Sequence, residues 1–543
     1  MAHTHWDTII VGAGSAGCVL ANRLSRDPNH SVLLLEAGGT DQRLWVRLPI
    51  GYARTFRDPR LNWMYQTEPE PALDDRRSYW PRGKLVGGSG SINAMAYVRG
   101  LPQDFDHWCA MGNPGWGWHD VLPYFIGAQD HADGADALHG DAGTMRVERI
   151  DDRVHPLCAR FLAAGQSLGF ARVDDFNGPS MRGVGIYQIT TRGGWRESTA
   201  RAYLHPARRR RNLSLQLQAH ALRVLMLDRR AIGVEYRQGG RTLQALARGQ
   251  VILCGGAINS PQLLQLSGVG DAALLARHGL PVVADLPAVG RGLQDHLHIT
   301  HVYRARVPTL NNVLGSWSGK LRAALHFAWN RRGPLSMSVN QAGGFVSIDP
   351  HRGTPDLQLY FNPASYSTRD AGRRRQMHPD PFPGFSMSVH SCRPTSRGYI
   401  AIASGDAMEP PRIVPNYLST ELDVAQALAG ARLLRKLASA GPLHDVIVSE
   451  IQPGPDCRGD DALMLDFRAR ADTIFHPVGS CAMGPSADTA VVDHRLRVHG
   501  VQGLRVIDAS VFPSITSGNT NTPTIMVAEK GAQMLLEDLA VRR

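Results

Sequence analysis

The sequence predicts an α/β protein, α+β overall: a Rossmann-like domain in discontinuous pieces, with a second domain containing an antiparallel sheet inserted between them. Three observations lead there. The glycine turn Gly12-Ala-Gly14-Ser-Ala-Gly17 directly follows an apolar run at 7–11 and opens a helical stretch at 15–25. A second apolar run follows at 31–36, so the opening segment reads as a β-α-β unit of a parallel sheet. Strand–turn–helix signals recur at 251–266 and again at 504–539, in the middle and at the end of the chain.

Between these units the pattern changes. Residues 213–247 alternate and carry a turn at Gln238-Gly239-Gly240, which predicts an antiparallel meander. Residues 300–470 hold Pro/Gly-rich loops such as Asp380-Pro-Phe-Pro-Gly384, strand-like segments at 357–361 and 386–390, and a helical stretch at 423–438. The division expected is a largely cofactor-binding region over 1–300 with some insertions, a substrate-binding domain over 301–470, and a return to the first domain over 471–543.

Composition narrows the class. A chain of 543 residues exceeds one ordinary core of about 100–200 residues. Its 43% hydrophobic and 20% charged residues exclude a disordered or fibrous protein. No apolar run approaches the roughly 18 residues of a membrane span. The first six residues lead straight into Asp7-Thr-Ile-Ile-Val-Gly12, without the charged and apolar regions of a secretory signal. Seven cysteines, at 18, 109, 158, 254, 392, 457 and 481, form no CxxC pair and suit a reducing compartment. The expectation is a cytoplasmic protein, with peripheral contact to the inner membrane face left open. The net charge of +11 raises nucleic acid as a partner, but the basic clusters at 208–211 and 373–375 lack interleaved aromatics and any recognition-helix signature. Solvated surface is the reading adopted, and no nucleic-acid partner is expected.

The glycine turn carries the first chemistry. Gly12 permits the tight turn, Gly14 lets the backbone approach a pyrophosphate, and Gly17 lets helix and strand pack closely. The helix start offers free N–H groups to phosphates. Glu36 ends the second strand, where a carboxylate would bind a ribose hydroxyl. A dinucleotide follows, although this pattern does not separate FAD from NAD. Two further segments are dense in small residues: Gly83-Lys84-Leu-Val-Gly87-Gly88-Ser89-Gly90-Ser91-Ile92-Asn93, and the run from Gly256-Ala-Ile-Asn-Ser-Pro261 to Gly268-Val-Gly270.

These two segments resemble, in order and spacing, the signature patterns of the glucose–methanol–choline (GMC) flavoprotein oxidoreductases, in their alcohol/choline dehydrogenase-like branch. The segments 286–296, with Asp295-His296, 475–484, with His476-Pro477, and 506–524 extend the resemblance over essentially the whole chain. It implies non-covalent FAD. Gly12, Gly14, Ser15 and Ala16 would take the pyrophosphate, and Glu36 and Ala37 the adenosine ribose. Lys84, Gly87, Gly88, Ser89, Asn93 and Ala94 would line the isoalloxazine, and the backbone of Val224 would meet the adenine. Asp508 and Ala509 would reach the ribityl–phosphate, and Asn519, Thr520 and Thr522 the flavin's far end. Ile92 stands where some relatives attach FAD through a histidine. Thr522 reads as N-cap and Pro523 as first residue of the last helix, whose positive end would face the flavin.

The catalytic pair implied is His476, as base, and Asn519, as hydrogen-bond donor to the substrate oxygen. An imidazole suits removal of an alcohol proton ahead of hydride transfer. Asp295, His296 and His298 lack metal-ligand spacing and read as structural, and the Asp/His-rich stretch 130–141 reads as a solvated loop, so no metal site is expected. The choline-type carboxylate is looked for before Gly343-Gly344-Phe345, where Gln341 stands; a neutral amide there disfavours choline. His390 is a further candidate for the substrate pocket. The function implied is oxidation of a primary aliphatic or aryl alcohol to an aldehyde, with hydride to flavin N5 and electrons to a quinone-like acceptor. An alcohol oxidase using oxygen and a redox-neutral hydroxynitrile lyase are the alternatives. The oligomeric state is not legible.

Overall fold

The computed structural model describes residues 5–349, 351, 353–366 and 378–542. The basic cluster at 373–375 and the first four residues lie outside them.

Two sheets organise the chain. The first is built on the strand His5–Val11, which pairs in parallel with Val32–Glu36 on one side and with the end of the long strand Arg241–Leu253 on the other. The run Val32–Glu36 is buried at every position, as expected of a parallel strand covered on both faces. Arg241–Leu253 serves two purposes. Its first half pairs antiparallel with Arg230–Gln238, while Val251–Leu253 pairs in parallel with Leu504–Val506. The chain's last segment thereby returns to the sheet its first segment began.

The meander is shorter than the sequence pattern indicates. His220–Leu227, Arg230–Gln238 and Arg241–Leu253 form it, but Leu213–Leu217 lies apart, parallel to the far edge of Val32–Glu36. The cause is local: the Asn212 amide donates to the carbonyls of Ser25, Asp27 and His30, docking this strand on that edge before the chain turns back. The last helix, Asn521–Arg542, starts earlier than expected. The Thr524 N–H and hydroxyl both donate to the Thr520 carbonyl, so Thr522 is not its N-cap. Pro523 falls within the first turn, where a missing N–H costs nothing.

The second sheet is antiparallel and runs Ala342–Val346, Leu357–Asn362, Gly384–Ser391, Leu297–Ala305, Ile447–Gln452. The helix Glu421–Ser439 packs on it, burying Leu434 and Leu437 against one face. Its other face looks toward the first domain. Along Leu297–Ala305 the period of two sends Ile299, His301 and Tyr303 into the core and leaves His298, Thr300 and Val302 on the interdomain side.

Candidate active site

A cavity of about 2030 Å³ lies between the two sheets. That is beyond the roughly 300–1,000 Å³ of a single small-ligand pocket and suits a dinucleotide together with a substrate. Its floor is backbone. Gly12 sits at φ +102°, and a Cβ there would lie 2.5 Å from the Cys254 carbonyl oxygen. A Cβ on Gly88, at φ +53°, would lie 2.8 Å from Gly14 Cα. The two glycine loops therefore meet main chain to main chain, leaving a wall that a flat ligand can lie against.

Two helices point their positive ends into this cavity, one beginning at Ser15 and the other at Asn521, and the Ser15 hydroxyl donates to Asn521 Oδ1 at 2.7 Å. Glu36 stands at the cavity wall, its carboxylate oriented by the N–H groups of Ala13 (2.9 Å) and Gly38 (2.8 Å). Burial pushes its pKa up. Asp508 is held similarly, accepting from the Gly256 N–H, the Ser260 hydroxyl and Ser510. These features fit a pyrophosphate-bridged dinucleotide: dipoles and donors for the phosphates, a carboxylate for a sugar hydroxyl, and a surface free of side chains.

Of the residues expected at the cofactor, Gly12, Gly14, Ser15, Ala16, Glu36, Ala37, Gly88, Ser89, Asn93, Ala94, Asp508, Ala509, Asn519 and Thr520 line the cavity. Four stand behind it. Lys84 lays its ammonium 4.5 Å over the Trp63 ring. The Gly87 N–H is spent on the Ala13 carbonyl. Thr522 is buried inside the first turn of the last helix. Val224 is buried with its N–H donated to Ser267 Oγ, so its backbone is not available to an adenine; Ala219, His220 and Ala221, earlier on the same stretch, face the cavity instead. Arg196 was missed. Its buried guanidinium orients Asn93 Oδ1 at 2.8 Å, and burial drops its pKa to about 9.

At the junction of the sheets, His476 and Asn519 meet, with Asn519 Nδ2 3.1 Å from His476 Nε2. Tyr360 OH (3.3 Å) and Gln358 Nε2 (3.4 Å) donate to Asn519 Oδ1, which fixes the amide with its N–H toward the imidazole. On the other side of the ring, His476 Nδ1 lies 2.9 Å from His296 Nδ1, and His296 Nε2 lies 2.9 Å from the Cys392 carbonyl oxygen. A carbonyl can only accept, so His296 carries its proton on Nε2. Burial holds His296 well below the ordinary histidine pKa, so it is neutral and its Nδ1 is bare. That bare nitrogen accepts the proton on His476 Nδ1, leaving the lone pair of His476 on Nε2, facing the cavity. Burial also lowers His476 itself well below its ordinary value, reinforced by His390, Arg82 and His298.

His296 is therefore not merely structural. Its neighbour Asp295 accepts the His476 backbone N–H at 2.7 Å and the Tyr417 hydroxyl at 2.5 Å, and burial raises its pKa to about 6. Phe475, just before, takes φ +71°, and Arg82 Nη2 donates to its carbonyl, setting the loop that presents the imidazole. The adjacency of Asp295 and His296 within one loop motif was the available signal; nothing in the spacing said the pair would reach residue 476. His298 lies on the cavity wall with Nδ1 2.8 Å from the Asp472 carbonyl oxygen.

Two substrate candidates are corrected. Gln341 does not reach the cavity: its Oε1 accepts the His155 N–H at 2.7 Å, and Asn340 takes the lining position. The bond to His155 holds residue 341 away from the cavity, so its neutral amide says nothing about choline. His390 is buried behind the wall, its ring 4.3 Å from His296 and its Nδ1 2.7 Å from the Ser391 carbonyl oxygen. The ligand atoms of His296, His390 and His476 lie within 4.8 Å of one another, but His296 spends both nitrogens on its two partners and has no lone pair left for an ion. Residues 130–141 are not wholly solvated either. His131 and His139 stack at 4.5 Å in the interior, and His139 Nε2 lies 3.0 Å from Asp175. The Gln129 side chain reaches His139 at 3.2 Å and draws that loop inward.

Comparison with known proteins agrees with this geometry. Family models for the N- and C-terminal parts of GMC oxidoreductases match residues 6–298 and 394–528. The chain is 42% identical over 538 residues to an alcohol dehydrogenase [acceptor] of Pseudomonas putida, covering 98% of this chain and 96% of that one. It is 42% identical over 538 residues to the mitochondrial choline dehydrogenase of Mus musculus, covering 97% and 89%. The crystal structure of a pyridoxine 4-oxidase from Mesorbium loti superposes with a TM-score of 0.88 at 30% identity, covering 98% and 99%. Among the described residues, no helix is long and apolar enough to cross a membrane. The chain belongs to the GMC oxidoreductase family, as an alcohol/choline dehydrogenase-like flavoprotein that uses FAD and acts on the CH–OH group of its donors.

Proposed function

We propose that the protein is a dehydrogenase of an uncharged primary alcohol, aliphatic or aryl, with non-covalently held FAD and a quinone-like acceptor. One observation carries the reading: the relay from the Cys392 carbonyl through His296 leaves His476 Nε2 as a bare base beside the Asn519 amide. An alcohol whose oxygen approaches Nε2 gives up its hydroxyl proton there, and the Asn519 N–H donates to the oxygen as its charge grows. The C–H carbon, now an alkoxide carbon, loses hydride and becomes the aldehyde. FAD, when bound, supplies the acceptor of that hydride.

The wall behind this pair supports an uncharged substrate. The interdomain side chains His298, Thr300, Val302, Tyr360, Asn362 and Ser388 include no carboxylate, and the cavity carboxylates of Asp466 and Asp472 are already engaged, by the Arg470 guanidinium and the Ser78 hydroxyl. Ile92, at the wall beside Asn93, offers no nucleophile for a covalent flavin bond. A quinone-like acceptor is favoured by the likeness to the alcohol dehydrogenase [acceptor]; the oxidase among the structural neighbours makes oxygen the rival acceptor.

Anaerobic titration of the holoenzyme with aliphatic and benzylic alcohols and choline, read by flavin absorbance, tests this. Bleaching by an uncharged alcohol, lost in His476→Ala with flavin retained, is the expected result. Bleaching by choline alone would overturn the substrate class, and bound FAD that dithionite but no alcohol bleaches would overturn the dehydrogenase reading. Rapid reoxidation by air rather than by a quinone would overturn the acceptor.

A further inference from the structure

The helix Trp317–Asn330 is unusual for its exposed side. It buries only Ala323 and Phe327. Outward it shows Trp317 (78% exposed), Leu321 (44%), Leu325 (62%) and Trp329 (91%), four large apolar side chains at a strict spacing of four. That spacing places them in one stripe along the helix. Scattered exposed apolar residues are ordinary; a continuous stripe with two tryptophans marks a surface that something covers.

The charge around it says what. From residue 296 to residue 348 the sequence holds no aspartate or glutamate, but it holds Arg304, Arg306, Lys320, Arg322, Arg331 and Arg332. Lys320 and Arg322 are exposed on this helix, and Arg331 and Arg332 follow it. An amphipathic helix with tryptophan and leucine on one face and cations beside it (Arg332 is paired with the Asp152 carboxylate at 3.5 Å, while Lys320 and Arg322 charge the helix itself) is suited to the boundary between lipid headgroups and acyl chains. A second copy of the chain is disfavoured as occupant, because a two-fold contact would set the same cations against each other.

The patch also reaches the cavity. Trp195 packs edge-on to Phe327 at 5.0 Å and lies between the guanidinium groups of Arg331 (5.2 Å) and Arg47 (4.8 Å). Arg47 ends the short helix Leu44–Arg47, on which Leu44 and Trp45 are exposed, and Trp45 lines the cavity mouth.

We propose that the face bearing Trp317, Leu321, Leu325 and Trp329 docks on the surface of an anionic lipid bilayer, bringing the cavity mouth at Trp45 to the membrane. The docking stands on this surface alone. Its use in delivering a lipid-soluble acceptor or alcohol rests on the dehydrogenase reading above.

The test is flotation of the purified holoenzyme with vesicles of phosphatidylglycerol and phosphatidylcholine in equal parts, and of phosphatidylcholine alone. The wild type is expected to float with the anionic vesicles, less so at high salt. Leu325→Glu/Trp329→Glu is expected to stay at the bottom. Lys320→Glu/Arg322→Glu, which touches no packed residue, is expected to partition roughly thirtyfold or more weakly, given the usual worth of a basic residue near an anionic surface. Both variants should keep their flavin and their activity with a soluble dye acceptor. A wild type that does not float, or variants that float equally well, would overturn the proposal. So would a lipid-free dimer, seen by light scattering, that the Leu325/Trp329 variant dissolves. Because vesicle binding needs no turnover, its failure is distinct from failure of the dehydrogenase reading.

Discussion

His296 and His476 hold one proton between their Nδ1 atoms, 2.9 Å apart, and the Cys392 carbonyl decides which ring owns it. A backbone carbonyl just past the strand Gly384–Ser391 thus sets, through His296, the tautomer of a histidine 180 positions from His296 in sequence. Replacing His296 with phenylalanine keeps the bulk and removes the acceptor. The His476 ring is then free to put its proton on Nε2, and the rate of alcohol-dependent flavin reduction should fall on the order of 10²-fold or more, as when a catalytic histidine loses the partner that fixes its tautomer. Stopped-flow reduction with saturating alcohol checks this; an unchanged rate constant would remove His296 from the machinery.

The pH dependence follows from the direction of the His476 shift. Burial, then His390, Arg82 and His298, disfavour its protonated form, so its folded pKa lies well below the ordinary histidine value of about 6.5. Below its pKa the base is lost, so kcat/KM should hold its value down through pH 6.5 and decline only in more acid solution. A profile that falls with a midpoint at or above 6.5 would contradict the neutral relay.

His301 makes a separate prediction about stability. It is fully buried with Nε2 unpartnered, and burial, aided by Arg470 and Arg435, drops its pKa to about 3. Between about 3 and the unfolded value of about 6.5, the unfolded chain binds a proton that the folded chain refuses. Stability therefore rises with pH through that window and is lost on acidification below about 6.5, by up to about 1.4 kcal/mol per pH unit for one such group. His301→Leu should flatten this part of the melting temperature against pH and raise stability at pH 5, measured by differential scanning calorimetry. Equal slopes in both proteins would refute it.

Gly88→Ala probes the cradle. A Cβ there meets Gly14 Cα at 2.8 Å, a backbone atom of a loop that the flavin site needs in place. The variant should purify with little bound flavin and with a melting temperature no longer raised by added FAD. Full flavin occupancy would mean the two loops can part without cost.

Much of this was legible beforehand because glycine turns and buried strands act locally. Gly12 and Gly88 face the cavity since no other residue type fits their positive φ and so close a backbone approach. The pair His476 and Asn519 came from motif likeness, and their contact could not have come from periodicity, since both sit on irregular loops. What failed were readings that depend on register or on a distant partner. Gln341 and Asn340 are neighbours just before the strand Ala342–Val346, yet one side chain turns inward to His155 and the other lines the cavity. Val224 lost its expected role to the hydrogen bond its N–H donates to Ser267, and His296 gained a role from a carbonyl about a hundred residues later. The amphipathic stripe 317–329 was written plainly in the sequence, but core packing gives the same period; only exposure separates the two.

The contact between Ser15 and Asn521 joins positions 506 apart. A ribosome makes the glycine turn within the first seconds of synthesis, yet the second helix end that completes the wall follows only after about 500 further residues, roughly half a minute or more later at about 5–20 residues per second. During that interval the chain carries the fingerprint without the wall opposite it. Capture of the cofactor therefore waits for residue 521, and a chain cut short before that point would have an intact fingerprint and no closed site.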